Sequence, residues 1–445
     1  MKRHRLHLLA LLLMLVLAVA AAGCGGDDDE GDEAGADTAA TAAEETTEEA
    51  VSGSINVLAV WTGAEGEAFQ AVLDGFTEKN PDVKVSYKSA KDPGQVLATS
   101  VEGGNPPDIA ALPSPGLMKD FASRGALKEI DFVKDAITEN YAGSWLDLGT
   151  VEGKLYGLFF KGANKSTVWY NVAVFEDAGV EPPEDWDAFL EAADTLKASG
   201  VAAYSLGGAD GWTLTDLFEN IYLRTAGPEK YDQLADHEIP WTDPSVKEAL
   251  TEMGKVLGDT ENIAGGTSGA LQTDFPTSVT QVYSTPPKAA QVLEGDFVGG
   301  VIAAETKAKP ETGFNVYAFP EIGDSGQVVV GGGDVMVMFK DNPAARALIK
   351  YLATPEAGQI WAEKGGFSSP NKNVDESVYP DEITKKTAID LAQAEVFRFD
   401  LSDLQPAAFG GDAMFTILQD FLKSPKDVDG AAQKLEKAAA AAFKS

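Results

Sequence analysis

Residues 55 to 116 constrain the fold more than any other part of the chain. Ile55 to Val60 is an apolar run of buried-strand type, the turn Trp61-Thr62-Gly63 follows, and Phe69, Val72, Leu73 and Phe76 then recur at helical spacing. Asn80-Pro81 stops that helix. Val83 to Tyr87 alternates as a strand does, and Asp108 to Leu112 gives another strand, ending in Pro113-Ser114-Pro115-Gly116. Strand, helix, strand and helix in this order imply an α/β fold built on a mainly parallel sheet.

The same alternation continues further on. A second region begins at Lys154 to Phe160 and Val168 to Tyr170; Asp185 is placed to cap a helix that sets Trp186, Phe189, Leu190, Ala193 and Leu196 on one face, and Gly200 closes it. A helix is expected from about 245 to 257, strands at 314–317 and 335–339, and helices around 344–351 and 355–364. No internal repeat, P-loop or dinucleotide fingerprint is evident, and Gly331-Gly332-Gly333 lacks the Lys and Ser or Thr that a phosphate cradle needs. Nucleotide chemistry has no support, and no cofactor is expected.

The N-terminus reads as an export signal. Lys2, Arg3 and Arg5 precede an apolar run from Leu8 to Ala22 and then Gly23-Cys24. That run is shorter than the roughly 20 residues a bilayer-spanning helix needs, and acidic residues follow it where a stop-transfer segment would carry basic ones. Ala21-Ala22-Gly23-Cys24 resembles a lipoprotein processing box, which makes residues 1–23 the signal peptide and Cys24 the lipidation site; an ordinary cleavage site nearby is the alternative. Residues 24–53 then form an acidic disordered tether, with eleven Asp or Glu and no Lys or Arg between Gly25 and Ser54.

Three compositional facts exclude whole classes of function. Cys24 is the only cysteine, so disulfides and thiolate metal sites are ruled out. His4 and His7 lie in the signal, leaving His237 alone in a polar stretch where it reads as a surface residue, so neither a histidine triad nor a His-rich metal site is expected. A formal net charge of −35 argues against nucleic acid as a partner.

Several segments carry a resemblance. Phe76-Thr-Glu-Lys-Asn-Pro-Asp82 with Val83-Lys-Val85, Asn105-Pro-Pro-Asp-Ile109, Glu152-Gly-Lys-Leu-Tyr-Gly157 with Trp169-Tyr-Asn171, and Gly365-Gly-Phe-Ser-Ser-Pro-Asn371 resemble the bacterial extracellular solute-binding proteins of carbohydrate ABC importers. The segments Lys165 to Asn171, Gly211 to Asp216, Leu223 to Pro228 and Phe397 to Asp403 resemble the subgroup that binds alpha-glucosides, although Thr213-Leu214 stands where that subgroup usually carries proline and glycine. The resemblance implies a two-lobed periplasmic-binding-protein type II fold with a ligand cleft between lobes joined by hinge strands. Lobe 1 is expected from 54–162 and 313–362, and lobe 2 from 163–312 and 363–445. It also implies a monomer that closes on its ligand by hinge motion and delivers it to ABC permease membrane subunits. The membrane contact is the lipid anchor alone, on the outer face of the cytoplasmic membrane.

A sugar site needs carboxylates, amides or cations beside flat rings, and ligands of open α/β sheets sit beyond the carboxyl ends of the strands. Trp61 and Glu65 follow the first strand, as a candidate stacking platform and a candidate acceptor; core packing and helix-dipole compensation are the competing readings. Trp212 and Asp216 lie four apart after a small-residue turn, so that one helix start offers a ring and a carboxylate. Asp334 follows three glycines at the expected start of a strand, where backbone can approach a ligand closely or where the carboxylate merely caps the glycine loop. Lys165, at the expected lobe crossing, either donates to hydroxyls or pairs with an acid. Asn371, after Ser368-Ser369-Pro370, either meets the ligand or fixes a turn.

The expected function is therefore a lipid-anchored binding protein that captures a sugar such as trehalose, maltose or sucrose. It is not expected to be an enzyme. A secreted glycosidase, which needs only two carboxylates, and a surface sensor with the same fold are the alternatives.

Overall fold

In the computed structural model, residues 51–444 are described apart from 91, 92, 393 and 395. The signal, Cys24 and the acidic tract through residue 50 lie outside the described residues. The strands run in chain order as β1 (Gly53–Ala59), β2 (Val83–Ser89), β3 (Ile109–Leu112), β4 (Thr150–Val151), β5 (Lys154–Leu155) and β6 (Gly157–Asn164). They continue as β7 (Thr167–Asn171), β8 (Ala202–Ser205), β9 (Ala289–Leu293), β10 (Phe314–Ala318), β11 (Val328–Met338) and β12 (Val396–Phe399).

The strand and helix alternation of the first hundred folded residues builds the first sheet, in the order β12-β11-β3-β1-β2 with β6 also paired to β11. β1 runs parallel to both β2 and β3. The helix Gly63–Lys79 buries Phe69, Val72, Leu73 and Phe76, the residues whose spacing forecast it, and it ends at Lys79 before Asn80-Pro81. Each such side chain stabilises the fold by about 1.5–3 kcal/mol when fully buried. β4 and β5 form a hairpin whose turn residues, Glu152 and Gly153, both have positive φ, as a two-residue type I′ turn requires.

A second sheet has the order β10-β7-β9-β8. Asp185 caps the helix Trp186–Ala198 by accepting from Ala188 N at 2.8 Å, and that helix packs Trp186, Phe189 and Leu196 into a second core. The molecule thus has two sheet-containing lobes.

Strand pairing places the lobe crossings. β10 pairs antiparallel with β7, so residues 314–318 belong to the second sheet, where the sequence had assigned them to the first lobe. Pairing between distant strands leaves no local trace in the residues themselves. Beyond residue 362, Phe367 and Val374 pack into the first core, again unlike the sequence boundary.

β11 is longer than its apolar second half suggests. It begins at Val328, so Gly331, Gly332 and Gly333 lie inside the strand and not in a loop before it. β12 and β3 pair with successive halves of one edge of β11, and β6 runs antiparallel along the other. Val328 and Val330 pack into the second core and Val335 to Met338 into the first, so this one strand carries the chain across. Bare backbone is needed there: a Cβ on Gly331 would collide with the Phe397 ring, and one on Gly332 would stand 2.8 Å from Lys165 Cε.

Candidate ligand-binding cleft

A cavity of about 870 Å³ opens where the lobes face each other. Its first-lobe wall includes Glu65, Ser114 and Lys161, its second-lobe wall Asp210, Trp212, Phe275 and Phe297, and its floor Lys165, Asp334, Asp400, Ser402 and Asp403. It is lined by both apolar surface and a small set of convergent polar groups, the usual make-up of a small-molecule site.

Glu65 lies in the first turn of Gly63–Lys79, where the helix dipole favours a carboxylate, and it meets Lys161 Nζ at 2.6 Å. Lys161 comes from β6 and is buried. Burial works against its ammonium, but the Glu65 and Asp334 carboxylates outweigh it and hold the pKa above the usual value. The ammonium also stands 5.6 Å from the Phe297 ring centre and 5.7 Å from that of Trp361.

Asp334 sits where the register between β11 and β6 shifts, and such a bulge re-aims a side chain. It reaches the cavity and accepts the Trp61 indole N–H at 2.6 Å. Burial raises its pKa to about 6 against the pull of Lys161. Trp61 itself is 1% exposed and does not line the cavity. Its ring packs 4.5 Å from Phe69 and 4.8 Å from Trp361, so it bears on the cleft through Asp334.

Lys165 occupies the crossing from β6 to β7, with its backbone N–H on Val330 O. Its ammonium pairs with Asp216 at 3.0 Å and with Asp400, and lies 5.7 Å from the centre of the Trp212 ring. Burial opposes that charge, yet Asp216 and Asp400 raise the lysine pKa well above its ordinary value. Asp400 also accepts from Ser402 Oγ at 2.7 Å and Asp403 N at 2.9 Å. Burial alone would push Asp400 up; Lys165 and these donors outweigh it and hold the carboxyl below the usual range.

Trp212 opens the helix Trp212–Ala226 and forms an aromatic wall with Phe275 and Phe297, the three ring centres lying 5.2 to 5.8 Å apart. Asp216, one turn on, is 2% exposed and faces Lys165 behind the cavity surface. Asn371 stands apart: it donates to Ala353 O at 3.2 Å and accepts from Asn373 N at 3.0 Å, which fixes the turn, and it does not line the cavity. His237 is half-buried, stacked 4.9 Å from Phe443 and 3.2 Å from Glu436, so the expectation of a plain surface histidine is corrected.

Of the residues singled out from sequence, Glu65, Lys165, Trp212 and Asp334 come together on the cavity wall, with Trp61 and Asp216 directly behind it. Lys161, Phe297, Asp400 and Asp403 were missed. Lys161 had a signal, a lone lysine directly after the apolar run Leu158-Phe159-Phe160. Asp216, Glu219 and Asp400 can bring one carboxylate oxygen each within 4.8 Å, a spacing open to a metal ion. The Lys165 ammonium already supplies the cation to two of them, while Glu219 accepts from Leu401 N at 2.8 Å and Ser402 N at 2.9 Å.

Residues 61–359 match the bacterial extracellular solute-binding protein family. The chain belongs to that family. It is accordingly an extracytoplasmic binding protein and not an enzyme. It is 34% identical over 375 residues to the osmoprotective compounds-binding protein GgtB of Synechocystis sp., covering 83% of this chain and 88% of that protein. It is also 34% identical over 397 residues to the alpha-glucosides-binding periplasmic protein AglE of Rhizobium meliloti, covering 86% of each. Among solved structures, the solute receptor AcbH, described as preferring β-D-galactopyranose, superposes with a TM-score of 0.78 at 20% identity over 88% of this chain and 99% of that one. A chitin oligosaccharide binding protein gives 0.77 at 21% identity over 88% and 100%. At such identities these structures speak for the fold alone.

Proposed function

We propose that this solute-binding protein captures a neutral sugar of the alpha-glucoside class, such as trehalose, maltose or sucrose, and presents it to the membrane permease of an ABC importer. The observation that carries this reading is the pairing of an aromatic wall, Trp212, Phe275 and Phe297, with the polar groups Glu65, Lys161, Asp210 and Asp334 on one cavity surface. Flat rings suit the C–H faces of a pyranose, while carboxylates and ammonium groups suit its hydroxyls. Both lysines are matched by carboxylates, which favours an uncharged guest over an anion. The name of AglE, an alpha-glucosides-binding protein, supports the same substrate class.

Hinge closure brings the two walls onto the ligand and creates the form a permease recognises. Isothermal titration of residues 52–445 with trehalose, maltose and sucrose, with amino acids as controls, tests the reading. Binding of one of these disaccharides is expected; binding of a control alone overturns it.

We further propose that acylated Cys24 anchors the chain to the outer face of the cytoplasmic membrane. Metabolic labelling with a radioactive fatty acid should mark the wild type and leave Cys24→Ser unlabelled, and equal labelling of the two refutes the anchor.

A further inference from the structure

The floor of the cleft carries one lysine among many carboxylates. Lys165 touches Asp216 and Asp400, and Glu219, Glu294 and Asp403 lie within electrostatic reach. Two of these acids have several donors of their own. Asp400 accepts from Lys165, Ser402 and Asp403, and Glu219 from the backbone of Leu401 and Ser402.

Asp216 and Glu294 are different. Asp216 Oδ1 accepts from Lys165, while its Oδ2 is buried with no partner; Glu294, directly after β9 and 3% exposed, has Oε2 buried with no partner. Glu294 and Asp216 act on each other as buried carboxyl groups, and Asp400 bears on Asp216 as well. Two ionised carboxylates only accept, so neither can satisfy the other. A single proton makes one oxygen a donor and pairs both groups at once.

We infer that Glu294 is a positioning residue of the binding cleft: a proton it shares with Asp216 keeps Asp216 on Lys165 and thereby holds the Lys165 ammonium beside Trp212. The surroundings favour retention of that proton. The groups facing the pair are Lys165 from the β6–β7 crossing, Asp210 before the helix Trp212–Ala226, Glu219 on that helix, and Asp400 and Asp403 beyond β12. Only Lys165 among these is cationic. Burial, first of all, raises Asp216 to about 7 and Glu294 well above its ordinary value, as the same crowding requires. When the proton leaves, two like charges face each other in the interior and Asp216 is pushed off Lys165. Ligand affinity should therefore fall on the alkaline side.

This rests on the reading of the cleft as the ligand site, and Glu294→Gln separates the two claims. Glutamine supplies a permanent N–H donor to Asp216 where glutamate needs a proton, whereas Glu294→Ala supplies nothing. With trehalose as the probe, wild-type affinity should drop about tenfold per pH unit beyond the titration of the pair. Glu294→Gln should lose that slope, and Glu294→Ala should bind weakly at every pH. In the ligand-free protein, the infrared carbonyl band of a protonated carboxyl should be present at neutral pH and diminished in Glu294→Gln. Melting temperature should fall with rising pH more steeply in the wild type than in Glu294→Gln, because the folded state holds a proton that the unfolded state releases. Equal pH slopes in the two proteins, or a wild type without the band, overturn the role of Glu294. Absence of trehalose binding with the band and slopes as expected counts against the sugar assignment and leaves the shared proton standing.

Discussion

The indole N–H of Trp61 donates to Asp334 Oδ2 at 2.6 Å, joining two residues 273 positions apart in the chain. Trp61 is thus an anchor for a carboxylate on the cavity lining. Trp61→Phe keeps an aromatic ring among Phe69, Phe160 and Trp361 but frees Asp334 to rotate. The expected outcome is a five- to tenfold loss of sugar affinity, about 1–1.4 kcal/mol, with a nearly unchanged melting temperature. Trp61→Ala should instead cost about 3–5 kcal/mol of stability, measured by denaturant unfolding.

Trp212 has the opposite balance. It lines the cavity and is only half-buried, so removing the ring takes away ligand contact more than core packing. Trp212→Ala should weaken sugar binding by about 10- to 100-fold, or about 1.4–2.7 kcal/mol, in isothermal titration, while the far-ultraviolet dichroism stays that of the wild type.

Asp334 gives the acid side of the pH profile. Its folded pKa is raised to about 6, chiefly by burial, so the free protein becomes protonated there below that pH. A sugar hydroxyl donating to the ionised carboxylate binds best above about 6, and affinity falls as pH drops through that value. Asp334→Asn should bind more weakly and lose this acid limb. The same raised pKa means that ionising Asp334 destabilises the ligand-free fold as pH rises from about 4 to about 6. Melting curves of the mutant should lack that decline.

Gly116 supplies a prediction about the contact between the helix Pro115–Ser123 and the segment that follows β12. A Cβ there would collide with the backbone oxygen of Gln405 and stand 2.9 Å from that of Asp403. Neither oxygen is on a flexible side chain, so the backbone must move. Gly116→Ala should lower stability by about 1–3 kcal/mol in chemical denaturation and weaken ligand binding by displacing Asp403 from the floor.

Periodicity made much of the fold legible. Phe69, Val72, Leu73 and Phe76 marked their helix because 3.6-residue spacing is set by local geometry, and Asp185 marked its cap for the same reason. The placement of β10 was not legible, since its partner strand lies about 150 residues earlier and leaves no local imprint. In the cleft, Trp212 stood out as a ring after a glycine turn and Asp334 as a carboxylate after a run of three glycines. Trp61 could not be assigned to wall or core, because a tryptophan after a strand suits either surface and only tertiary packing decides. Glu294 carried no signal at all: nothing in Gln291-Val-Leu-Glu-Gly-Asp296 distinguishes an inward carboxylate from an outward one.

β11 contributes Val328 and Val330 to one core and Val335 to Met338 to the other. Loss of order in either lobe therefore strips paired backbone and packed side chains from its neighbour. The two cores are bound into one cooperative unit, and a calorimetric scan of the folded region should give a single transition whose van't Hoff and calorimetric enthalpies agree. Cutting the chain within β11 would cost both lobes at once, so fragments made at that strand should fold together or not at all.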